Sequence, residues 1–174
     1  MTFFLPLALE LVAGGLLLLI SYQDWQARSV SWPAFPLLAG CLLTSHLLRE
    51  PWALVGWQSG CNLLLLALLM AVLTLYVRVR FLAGGLRLRD CLGSGDVLFW
   101  LALAGYLSPP DLLLFLLGSS LVGLLLVGVR AVRPLPGHPT TTVPLAGIQA
   151  ACLLVLLAGR WLLPDWSPWP ALAY

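Results

Sequence analysis

Charge is so scarce in this chain that lipid, rather than water, is the solvent it is built for. Of its 174 residues, 61% are hydrophobic and 9% charged, where an ordinary soluble domain carries roughly 25% charged residues. A soluble fold of this size would lack the polar side chains to clothe its surface. The apolar residues form long runs broken by polar or Gly/Pro punctuation, which places helices near 3–21, 33–48, 57–77, 92–107, 111–129 and 143–163. A membrane-spanning helix takes about 20 residues. The expected fold is therefore all-α: a polytopic bundle of about six transmembrane helices, with residues 1–174 as a single domain.

The first apolar run, Phe3 to Ile20, has the length of a signal peptide but lacks a basic leading region. Tyr22, Asp24 and Trp25 follow it instead of a small-residue cleavage site, so it reads as a mature helix. Trp166, Trp169 and Tyr174 in the tail from Pro164 suit the membrane interface, where amphipathic rings settle. No internal repeat is visible. All nine basic residues are arginines. Seven of them fall in the segments 22–32, 78–91 and 130–142, namely Arg28, Arg78, Arg80, Arg87, Arg89, Arg130 and Arg133. Only Arg49 and Arg160 fall on the opposite side. Basic loops stay cytoplasmic, so both termini are expected outside, with the arginine-rich side against anionic lipid heads.

Several function classes drop out. A net charge of +2 gives no footing for nucleic acid. Cys41, Cys61, Cys91 and Cys152 form no CxxC pair, and His46 and His138 stand at no ligand or triad spacing. HExxH and GxSxG are absent. No metal site and no cofactor are expected.

One short span carries information. The uninterrupted apolar stretch Val97 to Leu107 is 11 residues long, and Ser108-Pro109-Pro110 blocks its extension. To cross about 30 Å of hydrocarbon, the helix has to begin near Leu92 and take Gly93-Ser94-Gly95-Asp96 into its first turns. Asp96 then sits at the cytoplasmic edge of the membrane, where a carboxylate is costly and marks a functional candidate. Asp24 falls about one turn past the end of the first helix, on the same side. If the two helices pack together, the acids meet at equal depth. Two carboxylates at close range do not both ionise easily, so the pair holds one proton. Such a dyad contains a base to activate water and an acid to protonate a departing amine, the logic of aspartic proteases. Gly93 and Gly95, on either side of Ser94, leave room for an extended peptide backbone to approach. The plainer reading of an aspartate at a helix start is an N-cap or dipole partner.

The motifs also carry a resemblance. Gly93-Ser94-Gly95-Asp96-Val97 resembles the GxGD signature of intramembrane aspartyl proteases. Its continuation through Ala102-Leu103-Ala104-Gly105-Tyr106-Leu107 looks like the type IV prepilin peptidase version. Asp24 through Arg28 to Val30, then Leu37-Leu38-Ala39-Gly40, is similar to that family's first aspartate region. Val143-Pro144-Leu145-Ala146-Gly147 is similar to a degraded form of the proline-containing motif opening its last helix. The resemblance implies a multi-pass protein of the cell's inner (plasma) membrane, with Asp24 and Asp96 as the catalytic pair. It further implies a prepilin or prepilin-like substrate, whose short basic leader is cut at the cytoplasmic face, usually after a glycine and before a hydrophobic helix. Leu98 stands where many members have lysine, and Val30-Ser31-Trp32 where an isoleucine-proline-asparagine segment is common. These departures bear on substrate fit, since both acids are present. Longer members that also N-methylate the product carry paired CxxC motifs. None is present here, so peptidase activity without methylation is expected.

Glu10 lies 14 residues before Asp24, or about 21 Å along a helix, and is expected to make a polar contact between helices in the outer half. Asp90, beside Arg87 and Arg89, reads as a loop ion pair. Gly56 and Gly60 have GxxxG spacing at a span's outer end. The rival readings are a non-catalytic membrane assembly protein, a lapsed relative of the peptidase, or a small transporter. The last would place broken helices at the bilayer midplane, whereas here the glycines and acids gather at one face.

Overall fold

The computed structural model describes residues 4–27, 29–80, 93–132 and 145–162. The loop arginines 87, 89 and 133, together with Arg28, Asp90, His138, Cys91 and the aromatic tail, lie outside the described residues. Among the described residues the only regular elements are six helices: α1 (Phe4–Ala27), α2 (Ala34–Leu47), α3 (Trp52–Arg80), α4 (Ser94–Leu103), α5 (Pro109–Val132) and α6 (Leu145–Leu162). Helices follow from the solvent. Where no water is available, a backbone satisfies its polar groups within its own segment.

Stretches of α1, α3 and α5 (Phe4–Ala27, Trp52–Val79 and Pro109–Leu126) are long and apolar enough to cross a membrane. α2, α4 and most of α6 are shorter apolar helices. The burial pattern is that of a membrane bundle. Leu64, Leu68 and Leu75 of α3 and Leu117, Leu121 and Leu124 of α5 point outward. Glu10, Asp24, Ser45, Asn62, Asp96, Ser119 and Gln149 are buried. A soluble bundle would reverse this arrangement.

α1 is the central post, packed along both α2 and α6. α4 lies against α2 and α6 as well, with α3 on its far side, and α5 packs on α3 and α6. Leu17, Ile20, Leu38, Leu42, Phe99, Leu103, Leu112 and Leu153 form the heart of the apolar core. Gly56 and Gly60 face open space, so among the described residues their spacing serves no helix contact. Cys41, Cys61 and Cys152 are free thiols.

Several boundaries differ from the sequence reading. The third helix starts at Trp52, not 57, and runs to Arg80, not 77. The fifth runs Pro109–Val132 rather than 111–129. The differences in α1 and α4 bear most on the acids. The first helix does not end at residue 21 but continues to Ala27 and carries Asp24 in its last turns. Nothing in Ser21-Tyr22-Gln23-Asp24-Trp25-Gln26-Ala27 breaks a helix, and the fall in hydropathy there marks only the edge of the lipid. The fourth helix begins at Ser94, with Gly93 in an extended conformation as its N-cap, and stops at Leu103. Its ten residues rise only about 15 Å. The chain then turns, so the short helix ends inside the apolar layer.

Carbonyls freed at such an end need donors. Asn62 of α3 supplies them: its Nδ2 donates to Ala104 O at 2.9 Å and to Leu107 O at 2.7 Å. The same turn is held on the other side by His46, whose Nδ1 lies 3.0 Å from Gly105 O. Because a carbonyl only accepts, that nitrogen carries the proton. Asn62→Ala removes two buried hydrogen bonds and is expected to cost about 1–2 kcal/mol. A lowered thermal midpoint in detergent, against an equal or slightly raised midpoint for Gly60→Ala, which adds a methyl in open space and favours the helix, is the measurement that checks it.

Candidate active site

The fold brings Asp24 and Asp96 together. They sit on α1 and α4, two helices that are not close neighbours but share α2 and α6 on either side. Asp24 is 8% exposed and Asp96 9%, so neither is a solvated surface acid. Asp96 lies close enough to Asp24 to feel its charge.

The two carboxylates meet at the start of α6. The amides of a helix's first turn have no partner within the helix and present partial positive charge. Here Gly147 N–H donates to Asp24 Oδ2 at 2.6 Å, and the Ala146 amide hydrogen-bonds Asp96. Consecutive backbone groups of one helix thus hold acids from two others. Asp96 also takes a hydrogen bond from the Gly93 amide, while its own amide donates back to Gly93 O at 3.1 Å. The Ser21 hydroxyl donates to Gly147 O at 3.2 Å, fixing the same junction.

The glycines do separate jobs here. A Cβ on Gly147 would lie 3.0 Å from Asp24 Oδ2 and 3.1 Å from Asp24 Cβ. A Cβ on Gly93 would lie 3.1 Å from Asp96 Oδ2. Bare backbone at both positions lets amides reach carboxylates. Gly95 is different, since a Cβ there would meet only the Phe35 ring at an ordinary 3.6 Å. Gly93 and Ser94 are exposed, so the site is open on that side.

One turn deeper, Trp100 Nε1 donates to Gln149 Oε1 at 2.9 Å. Trp100 is four residues past Asp96 and Gln149 three past Ala146, so this contact stacks beneath the first along the parallel pair α4 and α6. Indole nitrogen only donates, which fixes the orientation of the Gln149 amide. The entry turn is ordered by Gln23, whose Oε1 accepts from Ser31 N–H at 2.9 Å.

Spacing singles out the two acids but not the Ala146–Gly147 amides, because a backbone donor has no signature in side-chain chemistry. Gln149 did carry a signal: it is the one amide in the apolar run of α6. Glu10 makes the expected contact between helices, with partners from three segments: Arg49, Tyr106 and Trp161.

Gly147→Ala crowds the Asp24 and Trp25 side chains, which must give by a few tenths of an ångström at the point where Asp24 is held. On the expectation that Asp24 is one of a catalytic pair, a displacement of that order is costly, and the variant is expected to lose about tenfold in the peptidase rate that the sequence resemblance implies. Peptidase assays on detergent-purified enzyme, normalised to folded protein, provide the check.

No curated protein and no solved structure matches the chain. The model of the type IV leader peptidase family matches residues 11–128, a stretch that includes both aspartates, while α6 lies beyond it. With more than half of its length matched, this chain of buried acids and apolar helices belongs to the type IV leader peptidase family.

Proposed function

We propose that the protein is an aspartic endopeptidase that removes the short basic leader from prepilin or prepilin-like proteins, with Asp24 and Asp96 as its catalytic pair. The observation that carries this reading is the convergence of those two buried carboxylates on the first amides of α6. A family of leader peptidases supplies the reaction class, and paired carboxylates supply chemistry suited to it.

In the proposed reaction one carboxylate takes a proton from a water molecule as the oxygen attacks the scissile carbonyl. The resulting tetrahedral species collapses when the partner acid delivers a proton to the leaving nitrogen. The C–N bond breaks, the leader departs with a new carboxylate, and the mature protein keeps a free amine. Each proton that leaves one acid is returned through the other, so the pair is regenerated. The exposed Gly93–Ser94 edge is the approach proposed for the extended substrate backbone, with Gly95 behind it. Seen with the arginine distribution, the dyad faces the cytoplasm in a multi-pass protein of the plasma membrane. The substrate's hydrophobic helix then stays in the bilayer while its basic leader reaches the acids from the aqueous side.

Co-expression with a prepilin carrying such a leader tests the assignment. Asp24→Asn and Asp96→Asn are each expected to slow leader removal at least about a hundredfold, seen as unprocessed substrate on a gel. Parental trimming by either variant removes that residue from the mechanism. Processing by the parent enzyme is expected to persist in EDTA, because acid–base work by two carboxylates does not call on a metal. Loss in chelator with recovery on adding zinc points to another mechanism.

A further inference from the structure

Glu10 is a charged side chain that the proposed chemistry does not use, and it is 1% exposed. Its carboxylate collects Arg49 Nη1 at 3.0 Å, the Tyr106 hydroxyl at 2.9 Å, Trp161 Nε1 at 3.1 Å and, more loosely, the Ser45 hydroxyl at 3.5 Å. These donors come from α2 and its end, the turn after α4, and the end of α6. The four helices joined at Glu10 are therefore those that carry or flank the acid pair at the other end of the bundle.

The spacing is more telling than the cluster itself. Glu10 precedes Asp24 by 14 residues, and Gly147 precedes Trp161 by 14. α1 and α6 run antiparallel, so the same two rods are pinned twice, Glu10 to Trp161 and Asp24 to Gly147, over equal spans of about 21 Å. Between the pins the Trp161 ring lies over Gly14, where a Cβ would come within 3.1 Å of Cη2. A slide of one helix along the other by a single residue, about 1.5 Å, breaks both pins together. The slide takes from Glu10 Oε2 its Trp161 donor and leaves the Trp161 N–H without an acceptor. Unpaired buried polar groups are costly, so the outer pin resists that slide.

We propose that Glu10 and Trp161 are positioning residues: they form a register lock that holds Asp24 against the α6 amides from the far end of the helix pair. The proposal rests on the reading of Asp24 and Asp96 as the catalytic pair.

The test is a double-mutant cycle between the two ends. Trp161→Phe keeps the ring over Gly14 and removes the N–H. Ser21→Ala removes the hydroxyl that donates to Gly147 O beside Asp24. Each is assayed for kcat and KM on prepilin, per folded enzyme. Trp161→Phe is expected to lower kcat about tenfold, since misplacement of order an ångström costs up to about a hundredfold, with KM within about twofold. Sites this far apart with no shared partner ordinarily act independently. Coupling through register instead predicts that the double variant falls at least about fivefold below the product of the two single effects. Simple multiplication, or a loss of folded protein with parental kcat, overturns the lock. If Trp161→Phe yields no folded enzyme, Glu10→Gln, which keeps the side chain's shape and removes the charge that Trp161 Nε1 donates to, takes its place in the cycle with the same expected excess loss. Asp24→Asn is run alongside: activity in that variant sinks the underlying reading, whereas an inactive Asp24→Asn with multiplicative lock variants sinks the lock alone.

Discussion

At the start of α6, the amides of Ala146 and Gly147 have no acceptor within their own helix, and they take carboxylate oxygens from α4 and α1. Much of the inner end of the bundle can be understood from that need. A helix N-terminus in an apolar layer has to find acceptors, and buried acids have to find donors. Each solves the other's problem. The arrangement draws two like charges toward one another, which they would not do unaided, because the helix end offers both a hydrogen bond and a favourable field. Glycine at 93 and 147 makes the approach sterically possible.

The other end of the bundle is organised by the same rule with side-chain donors in place of amides. There one buried acid, Glu10, gathers four donors from three segments. Neighbouring backbone groups are satisfied as well, by Asn62 at Ala104 and Leu107 and by His46 at Gly105. α4 is too short to span, so its end is buried, and polar side chains from α2 and α3 close it. Polar groups inside and leucines outside are thus two aspects of one constraint. Without water, interior polar atoms are favoured where another can meet them, though among the described residues Gln58 Oε1, Asn62 Oδ1 and Gln149 Nε2 are buried without a partner.

This arrangement connects architecture to chemistry. α1 and α4 reach each other through α2 and α6, so the relation between Asp24 and Asp96 depends on how all four helices pack. An exposed edge at Gly93 and Ser94 beside buried acids is a geometry suited to admitting an extended chain. Membership in the type IV leader peptidase family supplies a reaction class for the protein, and the proposed function places that reaction at this edge.

Most of the helices were legible from the runs of leucine, since hydropathy depends on residue type alone. The placement of Asp96 in a first turn was read correctly but on a premise the fold does not keep, since α4 runs only from Ser94 to Leu103 and does not span. Hydropathy fails where a helix leaves the lipid, and so it misplaced the end of α1: Ser21 to Ala27 is polar yet stays helical. It failed again at Leu103, where only donors from Asn62 and His46 allow a helix to stop inside an apolar layer. The acids themselves could be picked out as rare charges in apolar surroundings. Their partners could not, because the Ala146 and Gly147 amides look like any other backbone until α6 is packed against α1 and α4. Residue chemistry thus determined the solvent, the helices and the two acids. Packing alone decided which groups meet, because a hydrogen bond between distant segments depends on distance and direction, and neither is written in the order of residues.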